Sequence, residues 1–134
     1  NGSHVLVSGI AYKREIDDIR ESPALDVMGL LHTRGVRLSY FDPFVPTLSG
    51  KAWPGGYDLE SRALNPATLG SVDCVVIVTD HRAVDYQLVV DRAPLVVDTR
   101  NAIKEPYSHV FKLGAPHPLQ TDVDEVRHLV PAVA

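Results

Sequence analysis

The sequence predicts an α/β domain: a doubly wound, mostly parallel sheet of about five strands with helices on both faces. Three observations lead there. Short, continuously apolar runs alternate with segments of helical spacing. Those runs do not alternate apolar with polar residues, so each reads as a strand buried on both faces, the habit of parallel sheets covered by helices. The length, 134 residues, is that of one ordinary domain. Right-handed crossovers between such strands give a Rossmann-like arrangement.

Val5 to Ile10 is the first apolar run and reads as the first strand. Ala11 to Glu21 is polar, without period, and reads as a loop. Ser22-Pro23 has the form of a helix start, with serine as N-cap and proline at the first helical position. Leu25, Met28 and Leu31 then recur at helical spacing. Arg34-Gly35 closes that helix with a cation in the last turn and a glycine just past it. Val36 to Phe41 is the second strand, stopped by Asp42-Pro43. Pro46 to Gly70 is rich in Gly, Pro and Ser and reads as loop, with one helical turn near Pro66 to Leu69. Val72 to Val78 is a β-branched strand. Ala83 to Val90 reads as a short helix, Leu95 to Asp98 as a fourth strand, and His109 to Leu113 as a fifth. A last short helix is expected over Asp122 to Leu129.

Composition narrows the class. The chain is 45% hydrophobic and 22% charged, enough for a packed core. Its net charge of −4, with acids and bases interspersed, argues against a nucleic-acid partner. Cys74 is the single cysteine, so an internal disulfide is excluded and a reducing, cytoplasmic setting is the expectation. No run approaches about 18 apolar residues, so no membrane span is expected. Residues 1–4, Asn-Gly-Ser-His, read as a remnant of recombinant expression, and residues 5–134 as a single domain excised from a longer protein.

In a parallel sheet, ligands bind outside the carboxyl ends of the strands. The first strand delivers Tyr12 and Lys13 there, the second Asp42-Pro43, the third Thr79-Asp80-His81, and the fourth Arg100-Asn101. Lys and Arg suit phosphate oxygens. Tyr12 offers a flat face for a base or sugar ring. A phosphorylated ring compound is the simplest ligand for this set. The first loop has Gly9 but no G-x-G-x-x-G, so the dinucleotide fingerprint is missing.

These motifs carry a resemblance. Gly9-Ile10-Ala11-Tyr12-Lys13 through Asp18-Ile19-Arg20-Glu21-Ser22-Pro23 resembles the opening of the C-terminal domain in UDP-glucose and UDP-N-acetylhexosamine 6-dehydrogenases, where G-x-A-[FY]-K leads to D-x-R-E-S-P. Tyr40-Phe41-Asp42-Pro43 is similar to the family's "YDP", with Phe41 where the tyrosine usually stands. Asp73 to Thr79 resembles its "D-x-V-V-I-x-T" strand, and Asp98-Thr99-Arg100-Asn101 its "D-[TG]-R-N". The four motifs stand in the family's order across about the first 100 residues.

The resemblance implies an NAD-dependent enzyme that oxidises the C6 alcohol of a UDP-sugar to a carboxylate, in surface polysaccharide synthesis. It implies that this domain grips the UDP through Tyr12, Lys13 and Arg100, and that Arg20 reaches towards NAD. The catalytic cysteine and the NAD domain lie before the domain in that family, and the parent is a homodimer or higher. The chain alone is then expected to be inactive. Tyr12-Lys13 together with Asp-Thr-Arg-Asn looks closest to the bacterial branch acting on UDP-N-acetylhexosamines.

Plainer readings stand beside these. Lys13 and Arg100 taken singly are ordinary surface cations, and Arg20 has Asp17 and Asp18 as possible partners. Two adjacent acids make a poor metal site. Cys74 in an apolar strand reads as a small buried hydrophobe. Asp80-His81 reads as turn-forming or supporting, since no G-x-S-x-G elbow accompanies it. Two other functions share the architecture: a stand-alone nucleotide-binding or regulatory module, and a receiver-like domain with Asp80 as phosphoacceptor.

Overall fold

The computed structural model describes residues 2–114. Seven strands and three helices follow one another as β1 (His4–Ser8), α1 (Pro23–Thr33), β2 (Arg37–Phe41), β3 (Thr47–Leu48), β4 (Leu59–Glu60), α2 (Pro66–Gly70), β5 (Cys74–Ile77), α3 (Tyr86–Arg92), β6 (Val96–Asp98) and β7 (Val110–Lys112). The main sheet has five parallel strands in the order β2-β1-β5-β6-β7. The predicted fold class is the observed one.

Burial explains the continuous apolar runs. Along β1, Val5 and Val7 join a core that includes Ala24, Leu25 and Met28 of α1. Leu6, pointing the other way, joins Leu69 of α2 and Val89 and Val90 of α3. Helices therefore cover both faces, and Val5, Leu6 and Val7 in the middle of β1 are all buried. At 25 cal/mol per Å², each fully buried Val or Leu contributes about 1.5–3 kcal/mol.

Helix α1 begins as its sequence dictates. Ser22 Oγ accepts the Ala24 N–H and Pro23 occupies the first turn. Gly35 takes φ +79° just past its end, where a left-handed residue is favoured. Helix α3 starts later than the expected Ala83. Asp85 caps it by accepting the Leu88 N–H at 3.1 Å, and the cap fixes the boundary. The segment read as loop holds a small antiparallel pair, β3 with β4, and a 3-10 turn over Gly50–Ala52. Leu48 and Trp53 from this hairpin are buried against the α1 side of the sheet. The first strand starts at His4, one residue early, where its backbone N–H meets the Asp73 carboxylate. The expected helix over 122–129 lies outside the described residues.

From β1 the chain crosses to β2 on one side, then returns past β1 to β5 on the other. The connections thus diverge at β1 and β5, and a crevice at the carboxyl ends of these two strands is the usual ligand position in such sheets.

Candidate functional site

Two buried aspartates shape the loops around that crevice. Asp42, at the end of β2, is 2% exposed. Its Oδ2 accepts the N–H groups of Ile10 and Ala11 at 2.8 and 3.0 Å, and its Oδ1 accepts that of Phe44 at 2.8 Å. His81 Nε2 lies 2.9 Å from the same Oδ2. Because the Glu15 N–H points at His81 Nδ1 at 2.9 Å, Nδ1 is the acceptor and Nε2 carries the proton donated to Asp42. This network holds the start of the loop after β1, at Ile10 and Ala11, and its middle, at Glu15. The second organiser, Asp98, is fully buried at the end of β6. It accepts the N–H groups of Arg100, Ala102 and Ile103 at 3.0, 3.1 and 2.8 Å.

The loop after β1 is closed on itself by Tyr12 N–H donating to the Asp18 carbonyl at 2.6 Å. Thr79 Oγ1 donates to the Ala11 carbonyl at 2.7 Å. Gly9 is obligatory at its base. It takes φ +85°, and a Cβ there would stand 2.0 Å from the Thr79 carbonyl oxygen. Glu15, Glu21 and Asn101 also take φ near +60°, a strained region for residues with a Cβ. All three lie in the two loops that carry the candidate ligand-binding side chains.

The predicted residues fall into two groups. Tyr12, 51% exposed, shares an open cleft of about 420 Å³ with Asp18, Arg20 and Glu21. Arg20 forks onto the Asp18 carboxylate at 3.1 and 3.0 Å. That hydrogen-bonded pair holds the Asp18 carboxyl below its usual range and raises Arg20 above its own. Arg100 belongs to the second group, its Nε 3.6 Å from Asp80 Oδ1. Arg14 Nη2 meets the other oxygen of Asp80 at 2.6 Å. Lys13 is exposed on the loop that carries Tyr12 and Arg14. No hydrogen bond or ion pair among the described residues links Tyr12 or Lys13 to Arg100.

Sequence reasoning gave His81 a turn-forming or supporting role, which its bonds to Asp42 and Glu15 fit, but gave no role to Arg14, Asp42 or Asp98. Asp42 and Asp98 stand in the Tyr40–Pro43 and Asp98–Asn101 motifs near strand ends, but a motif does not show its contacts, which span 31 to 39 residues for Asp42 and 66 for the His81–Glu15 bond. Asp80, the phosphoacceptor of the receiver-like reading, is engaged by two arginines. Burial, then the Asp73 charge, pushes the half-buried Cys74 thiol up, which suits an inert core cysteine rather than a nucleophile. No group of three metal-ligating side chains occurs among the described residues, and no helix there is long and apolar enough to cross a membrane.

The residues after β1 do not fit a dinucleotide cradle. The Thr79 backbone fills the space beside Gly9. The helix that follows starts only at Pro23, with its first free N–H already taken by Ser22.

Fold and rim together define a doubly wound α/β domain that presents cations and an aromatic at its topological switch point, the build of a nucleotide-ligand-binding domain without a glycine cradle. Residues 6–105 match the UDP binding domain of the UDP-glucose/GDP-mannose dehydrogenase family, and the chain belongs to that family. It is 31% identical over 107 residues to the UDP-N-acetyl-D-mannosamine dehydrogenase of Pyrococcus horikoshii, covering 76% of this chain and 22% of that protein. It is 32% identical over 108 residues to the UDP-glucose 6-dehydrogenase of Pseudomonas aeruginosa, covering 75% and 24%. The solved structure of the UDP-D-ManNAc dehydrogenase from P. horikoshii superposes with a TM-score of 0.64 at 26% identity, over 84% of this chain and 26% of that one. The chain thus spans about a quarter of the length of these relatives.

Proposed function

We propose that this chain is the nucleotide-sugar-binding domain of an NAD-dependent dehydrogenase that oxidises the C6 alcohol of a UDP-hexose or UDP-N-acetylhexosamine to the uronic acid. One observation carries the reading: Tyr12, Lys13 and Arg100 project from strand-end loops whose backbones are pinned by buried carboxylates. Such pinning is what a preorganised ligand site requires.

In this reading the domain supplies grip and no chemistry. Tyr12 stacks on the UDP portion, while Lys13 and Arg100 meet its phosphates. Binding energy at the UDP, remote from C6, aims the sugar at groups elsewhere in the parent enzyme. NAD bound elsewhere in the parent enzyme would supply the hydride acceptor, and Arg20 is the one side chain of this domain that would reach towards it. The parent works in the cytoplasm as a homodimer or larger assembly, in polysaccharide synthesis.

Calorimetric titration of this chain with UDP tests the reading. Lys13→Ala and Arg100→Ala are each expected to weaken binding by about 1–3 kcal/mol, the scale of hydrogen bonds to charged groups. The chain should make no NADH from NAD and any UDP-sugar. Absence of UDP binding, or NADH production by this chain alone, overturns the proposal.

A further inference from the structure

Arg14 and Asp80 have no place in the site as read from the motifs, yet their geometry is the most unusual on the rim. Asp80 is 11% exposed and faces two guanidinium groups, Arg14 Nη2 at 2.6 Å from one oxygen and Arg100 Nε at 3.6 Å from the other. The two arginines lie 86 residues apart in sequence (100 − 14). They stand on loops from β1 and β6, and Asp80 stands on the loop from β5 between those strands. Both arginine side chains remain half exposed, at 51% and 52%.

Stability does not account for this arrangement. An ion pair with a half-exposed partner adds little to stability. Asp80 Oδ1 is buried and makes no hydrogen bond, since 3.6 Å to Arg100 is too long for one. Leaving such an oxygen short of a donor costs free energy. One carboxylate also cannot neutralise two guanidiniums, so Asp80 alone leaves one of these two arginine charges unmatched. The other rim arginines differ, for Arg20 pairs with Asp18 and Arg82 with Glu15. The hydroxyl of Tyr86 is likewise buried without a partner. Burial, then the charges of Asp80 and Asp98, pushes that hydroxyl up, so it stays a neutral dipole next to Asp80.

We propose that Arg14 and Arg100 form a two-guanidinium clamp for the diphosphate of a nucleoside-diphosphate sugar, with Asp80 as the positioning residue that aims both. The inference rests on the nucleotide-sugar reading above and adds a cation to it. Guanidinium groups present planar forks of donors that match phosphate oxygens two at a time. Two forks tied to one carboxylate suit two adjacent phosphoryl groups better than a single phosphate. Asp80 leaves the outer donors of each fork free for the ligand. Its own negative charge near the ligand is a cost, so removing that charge and removing the alignment act in opposite directions.

The test is titration of this chain with UDP, UMP and uridine, in the parent form and in Arg14→Gln, Arg100→Gln, Lys13→Ala and Asp80→Asn. Arg14→Gln is expected to weaken UDP at least tenfold, to weaken UMP less, and to leave uridine unchanged. Asp80→Asn is expected to weaken UDP also, and to do so less once Arg14 is already Gln. An unchanged uridine affinity in Asp80→Asn separates aiming of the arginines from a general loosening of the fold. If Asp80→Asn tightens UDP, charge outweighs alignment and the positioning role is overturned. If Arg14→Gln binds UDP like the parent while Lys13→Ala and Arg100→Gln weaken it, the clamp falls and the nucleotide-sugar reading stands. If the parent chain binds no UDP, both fall.

Discussion

Replacing Asp42 with asparagine removes one oxygen and almost no volume, so its effect isolates the hydrogen-bond network at the base of the first loop. The carboxylate takes four donors: the N–H groups of Ile10, Ala11 and Phe44, and His81 Nε2. Asparagine has one acceptor oxygen. Turned towards Ile10, Ala11 and His81, it leaves its NH2 facing the Phe44 N–H, a lost bond that costs about 1–3 kcal/mol. The three bonds it keeps become neutral and lose about half their strength, about 1 kcal/mol each. Burying an amide is easier than burying a carboxylate, and that offsets several kcal/mol of the loss. The expected net destabilisation is about 2–4 kcal/mol. Urea unfolding followed by the fluorescence of Trp53 measures it, because Trp53 is buried and its indole N–H donates to the Tyr57 carbonyl. The midpoint should fall with the slope unchanged. A midpoint shift worth less than about 1 kcal/mol would mean that Asp42 does not organise the loop, and the account of the site's preorganisation would fail.

Two further changes probe other parts of the frame. Gly9→Ala puts a Cβ 2.0 Å from the Thr79 carbonyl oxygen at φ +85°; the variant should lose more than about 3 kcal/mol or fail to fold, and a thermal midpoint like the parent's would contradict the close approach. Tyr40 is buried, and burial, then the charges of Asp42 and Glu60, pushes its phenol up to about 12. The folded value is raised, so this stability is fully present below the unfolded pKa of about 10 and is lost as pH rises from there through 12, by about 3 kcal/mol. Tyr40→Phe should lose about 1 kcal/mol at pH 7, where the hydroxyl donates to the Val45 carbonyl, and should flatten the decline between pH 10 and 12 in urea titrations. An alkaline slope identical to the parent's would place the titrating group elsewhere.

The parallel strands were legible because β1 and β5 are buried on both faces, and that leaves a run of apolar residues with no gaps. The start of α1 was legible because its cap and its proline are adjacent in sequence. The β3–β4 hairpin was not, since strands of two residues have no period to read. The start of α3 was missed although Asp85 stands three residues before Leu88, the spacing of a cap. At the site, strand ends told which loops carry the exposed cations and the aromatic. They could not reveal that Arg14 and Arg100 share a carboxylate, or that Asp42 and His81 tie the loop down. Those contacts are made across long separations, and single-sequence patterns record neighbours.

Because Asp42 and Asp98 hold the rim loops largely by backbone N–H groups, the shape of those loops depends little on which side chains they display. Tyr12, Lys13, Arg14 and Arg100 hang outward from a scaffold that would keep its form if any of them changed. Such a division lets ligand preference drift by single exposed substitutions without a matching adjustment inside the core. It also gives protein engineers four positions to randomise together when seeking altered sugar-nucleotide selectivity, with little of the library wasted on misfolded members.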